Sequence, residues 1–136
     1  GMAVLQFGVD GDESNTHHPA RHRQHLVVYA GTHDTDTAVG WAASLDPGAA
    51  DRACAQLGTD RAGLPDALIH ATLGSPGEVA IALAQDLLGL GSDARVNRPG
   101  TWGGNWVFRL GALPSSEQWA RWSERLAATG RRQTVP

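Results

Sequence analysis

Leu26-Val27-Val28-Tyr29-Ala30, running directly into Gly31-Thr32-His33-Asp34-Thr35-Asp36-Thr37, is the stretch that decides the fold. A short, β-branched apolar run has the composition of a strand buried on both faces, as in parallel sheets covered by helices. Its polar tip then lies at the carboxyl edge of the sheet, where α/β folds bind ligands. Adjacent His33 and Asp34 at such an edge form a candidate site. The same residues also suit a turn and a helix start, with Asp34 or Asp36 as the N-cap. Taken alone, the stretch leaves both readings open.

Two further apolar runs share this design. Residues 2–7 (Met-Ala-Val-Leu-Gln-Phe) break at Gly8 into a polar loop over 10–24, and residues 79–84 (Val-Ala-Ile-Ala-Leu-Ala) finish in Gln85-Asp86. Between the second and third runs, the pattern predicts helices over 36–44, from Asp46-Pro47 through Cys54 to about Leu57, and over 64–73. Gly58 and Gly74-Ser75-Pro76 stop the last two. Three strand-like runs separated by helical or loop segments predict parallel β/α units in place of a hairpin meander. Residues 89–104, rich in Gly, Asn and Pro, read as an ordered loop. Ser115-Ser116-Glu117 caps a final helix over 117–129, with Trp119, Trp122 and Leu126 on one stripe. Residues 131–136 read as a frayed tail.

Composition bounds the function. At 136 residues, with 41% hydrophobic and 18% charged, the chain has the make-up of one globular domain or less. A net charge of -3 supplies no basic stripe for nucleic acid and no polybasic patch for membranes. All the basic side chains other than His are Arg, which reads as coding bias and says nothing of partners. The single Cys54 cannot close an internal disulfide and reads as an idle thiol in a reduced cytoplasm. With no apolar run near ~18 residues and no signal peptide, a soluble, cytoplasmic chain is expected. His17, His18, His22 and His25 crowd together, but Pro19 opposes a helix that would set His18 and His22 at ligand spacing. No metal is expected, which also disfavours a metal-dependent phosphohydrolase built on His33-Asp34.

Around the His33-Asp34 tip the chain resembles the amylomaltase, or 4-α-glucanotransferase, family (glycoside hydrolase family 77). That family reads V-V-Y-T-G-T-H-D-N-D-T before G-W; here Val27 to Thr37 precede Gly40-Trp41, with Ala30 and Thr35 replacing the Thr and the Asn. Gly1-Met2-Ala3-Val4-Leu5-Gln6-Phe7 is similar to G-M-K-V-L-Q-F. The stretch from Gln85 to Thr101 resembles Q-D-L-L-G-L-G-S-E-A-R-M-N-x-P-G-T, and Gly104-Asn105-Trp106 matches a closing G-N-W. Four ordered blocks cover nearly the whole chain; only the last helix is poorly matched.

The resemblance implies an α/β fold: the C-terminal part of a (β/α)8 TIM barrel, with parallel strands and flanking helices. Such barrels take roughly 250 residues, so 1–136 would supply the last three strands and the C-terminal helix. The family's nucleophilic Asp and acid/base Glu lie on earlier strands, outside these residues. The implied function is a fragment of an enzyme that transfers α-1,4-glucan segments by a retaining mechanism, inactive alone, with maltooligosaccharides and the rest of the barrel as partners and no cofactor. Asp34 matches the family's third, sugar-orienting carboxylate, and His33 its neighbour on the same sugar. Asp10 and Asn97 match sugar-contacting positions, although Val9 replaces the family's Phe beside Asp10. Asp10 can equally be a solvated loop carboxylate, and Asn97 a turn residue before Pro99. Arg95 and Asp86 are expected to pair beneath the site. Trp41, Trp102 and Trp106 are aromatic candidates for a glucan groove; Trp106 also reads as core, leaving Trp102 as the freest. The alternative function is a stand-alone glucan-binding module without catalysis.

Overall fold

Three parallel strands form the sheet that the apolar runs predict, but each is only three residues long. In a computed structural model, which describes residues 1–131, β1 is Met2–Val4, β2 Val27–Tyr29 and β3 Val79–Ile81, in the order β1-β2-β3. Val28 pairs with Ala3 and Ala80, and Tyr29 with Val4 and Ile81. Successive strand side chains point to opposite faces. Ala3 and Val28, on one face, are fully buried, whereas Met2 and Val79, on the other, are 55% and 44% exposed. The second face is thus open at Met2 and Val79 but closed at Val4, which is 2% exposed.

The strands end early because their tails turn. Leu5–Phe7 winds into a helical turn closed by the Gly8 amide on the Leu5 carbonyl (2.8 Å). After β3 the expected strand tail instead enters a one-turn helix, α4 Ala84–Leu87. The other helices are α1 Ala38–Ser44, α2 Pro47–Leu57, α3 Leu64–Leu73 and α5 Ser116–Ala128. Neither Asp34 nor Asp36 caps α1. Thr37 does, its hydroxyl accepting the Gly40 amide at 3.1 Å. Asp46 caps α2 and Gly58 ends it in the left-handed conformation (φ 65°), as Pro47 and Gly58 foretell. Ser115 and Gln118 close a reciprocal capping box on α5.

Leu5, Val9, Ala38, Trp41, Ala53, Leu64 and Leu68 form one buried cluster among α1, α2 and α3. Trp41 thus belongs to the core and is no glucan platform. Trp106 does the reverse: read as core, it is 60% exposed. On α5, Trp122 is buried and its indole N–H donates to the Leu87 carbonyl, while the half-open Trp119 ring meets it edge-on at 4.9 Å. The tail expectation fails at its first residue, since the Arg131 guanidinium donates to the carbonyls of Leu73, Ser75 and Gly77. Residues 132–136 lie outside the described residues.

Asp86 does not meet Arg95. It is buried at 3% exposure, its Oδ1 accepts the Ala38 amide at 2.7 Å, and its Oδ2 has no partner among the described residues. Burial raises its pKa above the ordinary carboxylate value, against the pull of the Ala38 amide. A carboxyl raised on folding contributes stability below its unfolded value, and that contribution is lost as pH rises through the folded value. Asp86→Asn keeps an Oδ1 for Ala38 and removes the buried charge. Urea unfolding is expected to show the variant more stable than the parent at pH 7, with the difference shrinking towards pH 4; a less stable variant at pH 7 would contradict this.

Candidate functional site

The polar tip of β2 is built as a tight turn. Thr35 closes it, its hydroxyl accepting the Thr32 amide at 3.0 Å and lying 3.1 Å from the Thr32 carbonyl. Gly31 admits this closure, because a Cβ there would lie 2.5 Å from the Thr35 hydroxyl and 2.7 Å from the Gln6 amide nitrogen. That Gln6 amide, buried beneath the turn, donates to the Asp36 carbonyl at 2.8 Å. The next two residues, His33 and Asp34, are thrust outward with side chains 51% and 50% exposed.

A second segment reaches over this tip from 92–106. Asn97 donates its amide to Asp34 Oδ1 at 2.6 Å, and His33 Nε2 lies 3.3 Å from the same oxygen. Arg95 donates to the Asp34 backbone carbonyl at 3.1 Å and reaches Asp36 Oδ2 at 3.5 Å. Asp36 is the knot of the assembly: Oδ1 accepts the Thr37 amide at 2.8 Å and Oδ2 the Ser92 hydroxyl at 2.9 Å. Trp106 packs on His33 with ring centroids 5.0 Å apart. Beside the tip lies an open hollow of about 400 Å³ lined by Tyr29, Gly31, His33, Asp34 and Ile81, among others.

Three of the four expected site residues therefore converge: Asp34, His33 and Asn97. Asp10 does not join them in any contact among the described residues. Its Oδ1 accepts the Asp12 amide (3.0 Å) and its Oδ2 the Asn15 side chain (2.8 Å), and its carbonyl takes the Arg52 guanidinium on α2. The Asp12 amide first, then the Asn15 amide, hold the Asp10 carboxyl below its ordinary pKa. Trp102 is wholly exposed. The histidines 17, 18 and 22 serve the loop. His17 Nδ1 accepts the Val4 amide, His18 Nδ1 the Ala20 amide, and His22 joins Ser75 to the His17 carbonyl. That carbonyl can only accept, so His22 Nε2 carries the proton; burial lowers the ring's pKa.

Sequence reasoning missed Asp36 and Ser92, set Trp106 between groove and core, and misassigned the partner of Arg95. Asp36 reads locally as a cap, and its real partners Ser92 and Arg95 are 56 and 59 residues away. The one local signal is Gly40, where a Cβ would sit 2.3 Å from both Asp36 Oδ1 and Ser92 Oγ. Chemically, the cluster offers one carboxylate with a free oxygen, an amide and an imidazole, all open to solvent. These are the groups that bind sugar hydroxyls. Asp36, with both oxygens engaged, is structural.

Comparison with known proteins converges on one family. The family model described as 4-alpha-glucanotransferase matches residues 1–114. The chain is similar to the chloroplastic/amyloplastic 4-alpha-glucanotransferase of Arabidopsis thaliana, 43% identical over 129 residues, covering 93% of this chain and 22% of that protein. It is also similar to the 4-alpha-glucanotransferase of Thermus thermophilus, 40% identical over 142 residues, covering 96% of this chain and 28% of that one. A likeness of fold extends to an amylomaltase from Streptococcus agalactiae in complex with acarbose. Its TM-score is 0.87 at 24% identity, over 98% of this chain and 28% of the other. The chain thus spans between a fifth and a third of the length of these proteins.

Gly40 tests the knot. In an ordinary helix interior Gly→Ala stabilises by about 1 kcal/mol. Here the added methyl must push Asp36 and Ser92 apart, so overpacking of about 1–3 kcal/mol should outweigh that gain. Urea unfolding of Gly40→Ala is expected to show net destabilisation; net stabilisation would mean the contact is dispensable.

Proposed function

The chain belongs to the 4-alpha-glucanotransferase (amylomaltase) family, and we propose that its residues form one wall of a site that transfers α-1,4-glucan segments between glucan acceptors. They contribute the closing strands of a TIM barrel, and the rest of that barrel is their partner. The observation that carries this reading is Asp34, fixed by Asn97 and flanked by His33 at the carboxyl end of the central strand, with one oxygen free. The wholly exposed Trp102 favours a second reading, a glucan-binding module without catalysis. A cytoplasmic setting, as for a soluble sugar-processing enzyme, is part of the proposal.

In a retaining transfer, a carboxylate nucleophile attacks the anomeric carbon while an acid protonates the departing glucan oxygen. The acceptor hydroxyl then returns its proton to that group as it displaces the enzyme. Both steps pass through an oxocarbenium-like state, where hydrogen bonds to ring hydroxyls tighten. Asp34 supplies such a contact: its free oxygen accepts from a sugar hydroxyl, and its negative charge faces the developing positive one. His33 and Asn97 hold that carboxylate and leave donor capacity for the same sugar. The nucleophile and the acid/base belong to residues outside these 136.

The 136-residue chain incubated with maltotriose is therefore expected to release no glucose and build no longer oligomers. In a full-length barrel that carries this segment, Asp34→Ala is expected to lower kcat for disproportionation of maltotriose about 10²–10³-fold, the scale for losing one such electrostatic contact. Turnover by the 136-residue chain, or an unchanged rate in the variant, would refute the assignment. Saturable quenching of tryptophan fluorescence by maltose in the 136-residue chain would favour the binding module.

A further inference from the structure

Among the described residues, Trp106 is the one residue other than glycine with a positive φ, at 62°. The left-handed conformation crowds any Cβ against the following backbone, and a bulky side chain is rare there. Burial does not explain the choice, since the residue is 60% exposed. A glycine would adopt this backbone freely, as Gly103 and Gly104, on the far side of Asn105, do at φ 87° and 73°. A strained position filled by an exposed indole points to something the indole does.

What it does is visible in its contacts. The loop between Asn97 and Trp106 is closed on itself, with Asn105 Oδ1 accepting the Arg98 amide at 2.8 Å and the Trp106 amide donating to the Val96 carbonyl at 2.7 Å. Its two ends grip two consecutive residues of the β2 tip. Asn97 takes Asp34 by hydrogen bond, and the Trp106 ring lies over the His33 imidazole at 5.0 Å, tilted 39°. Without that cover His33, half-exposed and anchored among the described residues only at Nε2, is free to leave Asp34 by rotating about its side-chain bonds.

We propose that Trp106 is a positioning residue: it holds the His33 imidazole against Asp34, so that one loop orients both sugar-facing groups. The inference about His33 orientation stands on the geometry, and its consequence for transfer rests on the glucanotransferase reading. Three variants separate the parts. In the 136-residue chain, Trp106→Gly relieves the backbone, and its melting temperature is expected to be unchanged or higher. The His33 ring resonances, shifted by the indole ring current in the parent, are expected to move to the values of an unstructured histidine. Trp106→Phe is expected to retain most of the shift. In a full-length barrel carrying the segment, Trp106→Gly is expected to lower kcat roughly ten- to hundredfold, the scale for a misplaced contact group, with Trp106→Phe recovering most of the rate. His33 resonances unmoved in Trp106→Gly overturn the stacking, whatever Asp34→Ala does. Moved resonances with unchanged kcat and KM overturn the positioning role and leave Asp34 untouched. An active Asp34→Ala barrel fails the functional reading alone, since the His33 shift is read in the absence of sugar.

Discussion

The site depends on the carboxylate of Asp36 and the three donors that converge on it. Thr37 N–H, the Ser92 hydroxyl and the Arg95 guanidinium come from the start of α1 and from the 92–95 turn, segments far apart in sequence. The side chains of Asp36 and Arg95 are 19% and 18% exposed. That depth matters, because a largely buried carboxylate left with fewer donors costs more than any one of its bonds returns. The knot is therefore closer to all-or-none than to three separate contacts. Once it is tied, Arg95 is held where its second nitrogen meets the Asp34 carbonyl, and Asn97, two residues on, is brought to the Asp34 side chain.

Two acids two residues apart have thus been given opposite tasks by their surroundings. Asp36 turns inward and both its oxygens are taken; Asp34 turns outward, half-exposed, with one oxygen free. Strand alternation would put residues two apart on the same side, so the opposite facing comes from the turn between them. Thr35, between them, bends the chain by bonding back to Thr32. A hydroxyl at 35, where the resemblance has an asparagine, is enough to close this turn.

How far this was legible in the sequence follows from the range of each interaction. Caps and stops act within a few residues, so α2 and α3 fall where Pro47, Gly58, Leu64 and Gly74 place them. The parallel order of the strands was readable from the spacing of three apolar runs, because long crossovers exclude hairpins. Strand ends were not readable, since Leu5 and Ala84 turn for reasons set by hydrogen bonds in the folded chain. Of the candidate site, His33 and Asp34 stand out at the strand tip, while their expected roles and the choice of Asn97 came through the resemblance. Composition misled about Trp106: an aromatic flanked by Val107 and Phe108 reads as core, whereas the folded chain leaves it 60% exposed on a left-handed backbone.

The more open face of the sheet bears on the site. Met2 and Val79 flank β2 on that side, 55% and 44% exposed, and both outer strands present unpaired edges among the described residues. An apolar sheet face with open edges invites further strands. It lies next to the hollow that holds His33 and Asp34, whose lining includes Met2, Tyr29 and Ile81 from this same face. Whatever covers the face therefore also walls the hollow. In the proposed transfer, excluding water there would lower the local dielectric and strengthen the pull of Asp34 on a developing positive charge. On the proposed reading, covering the face and sharpening the electrostatics of the carboxylate are one event.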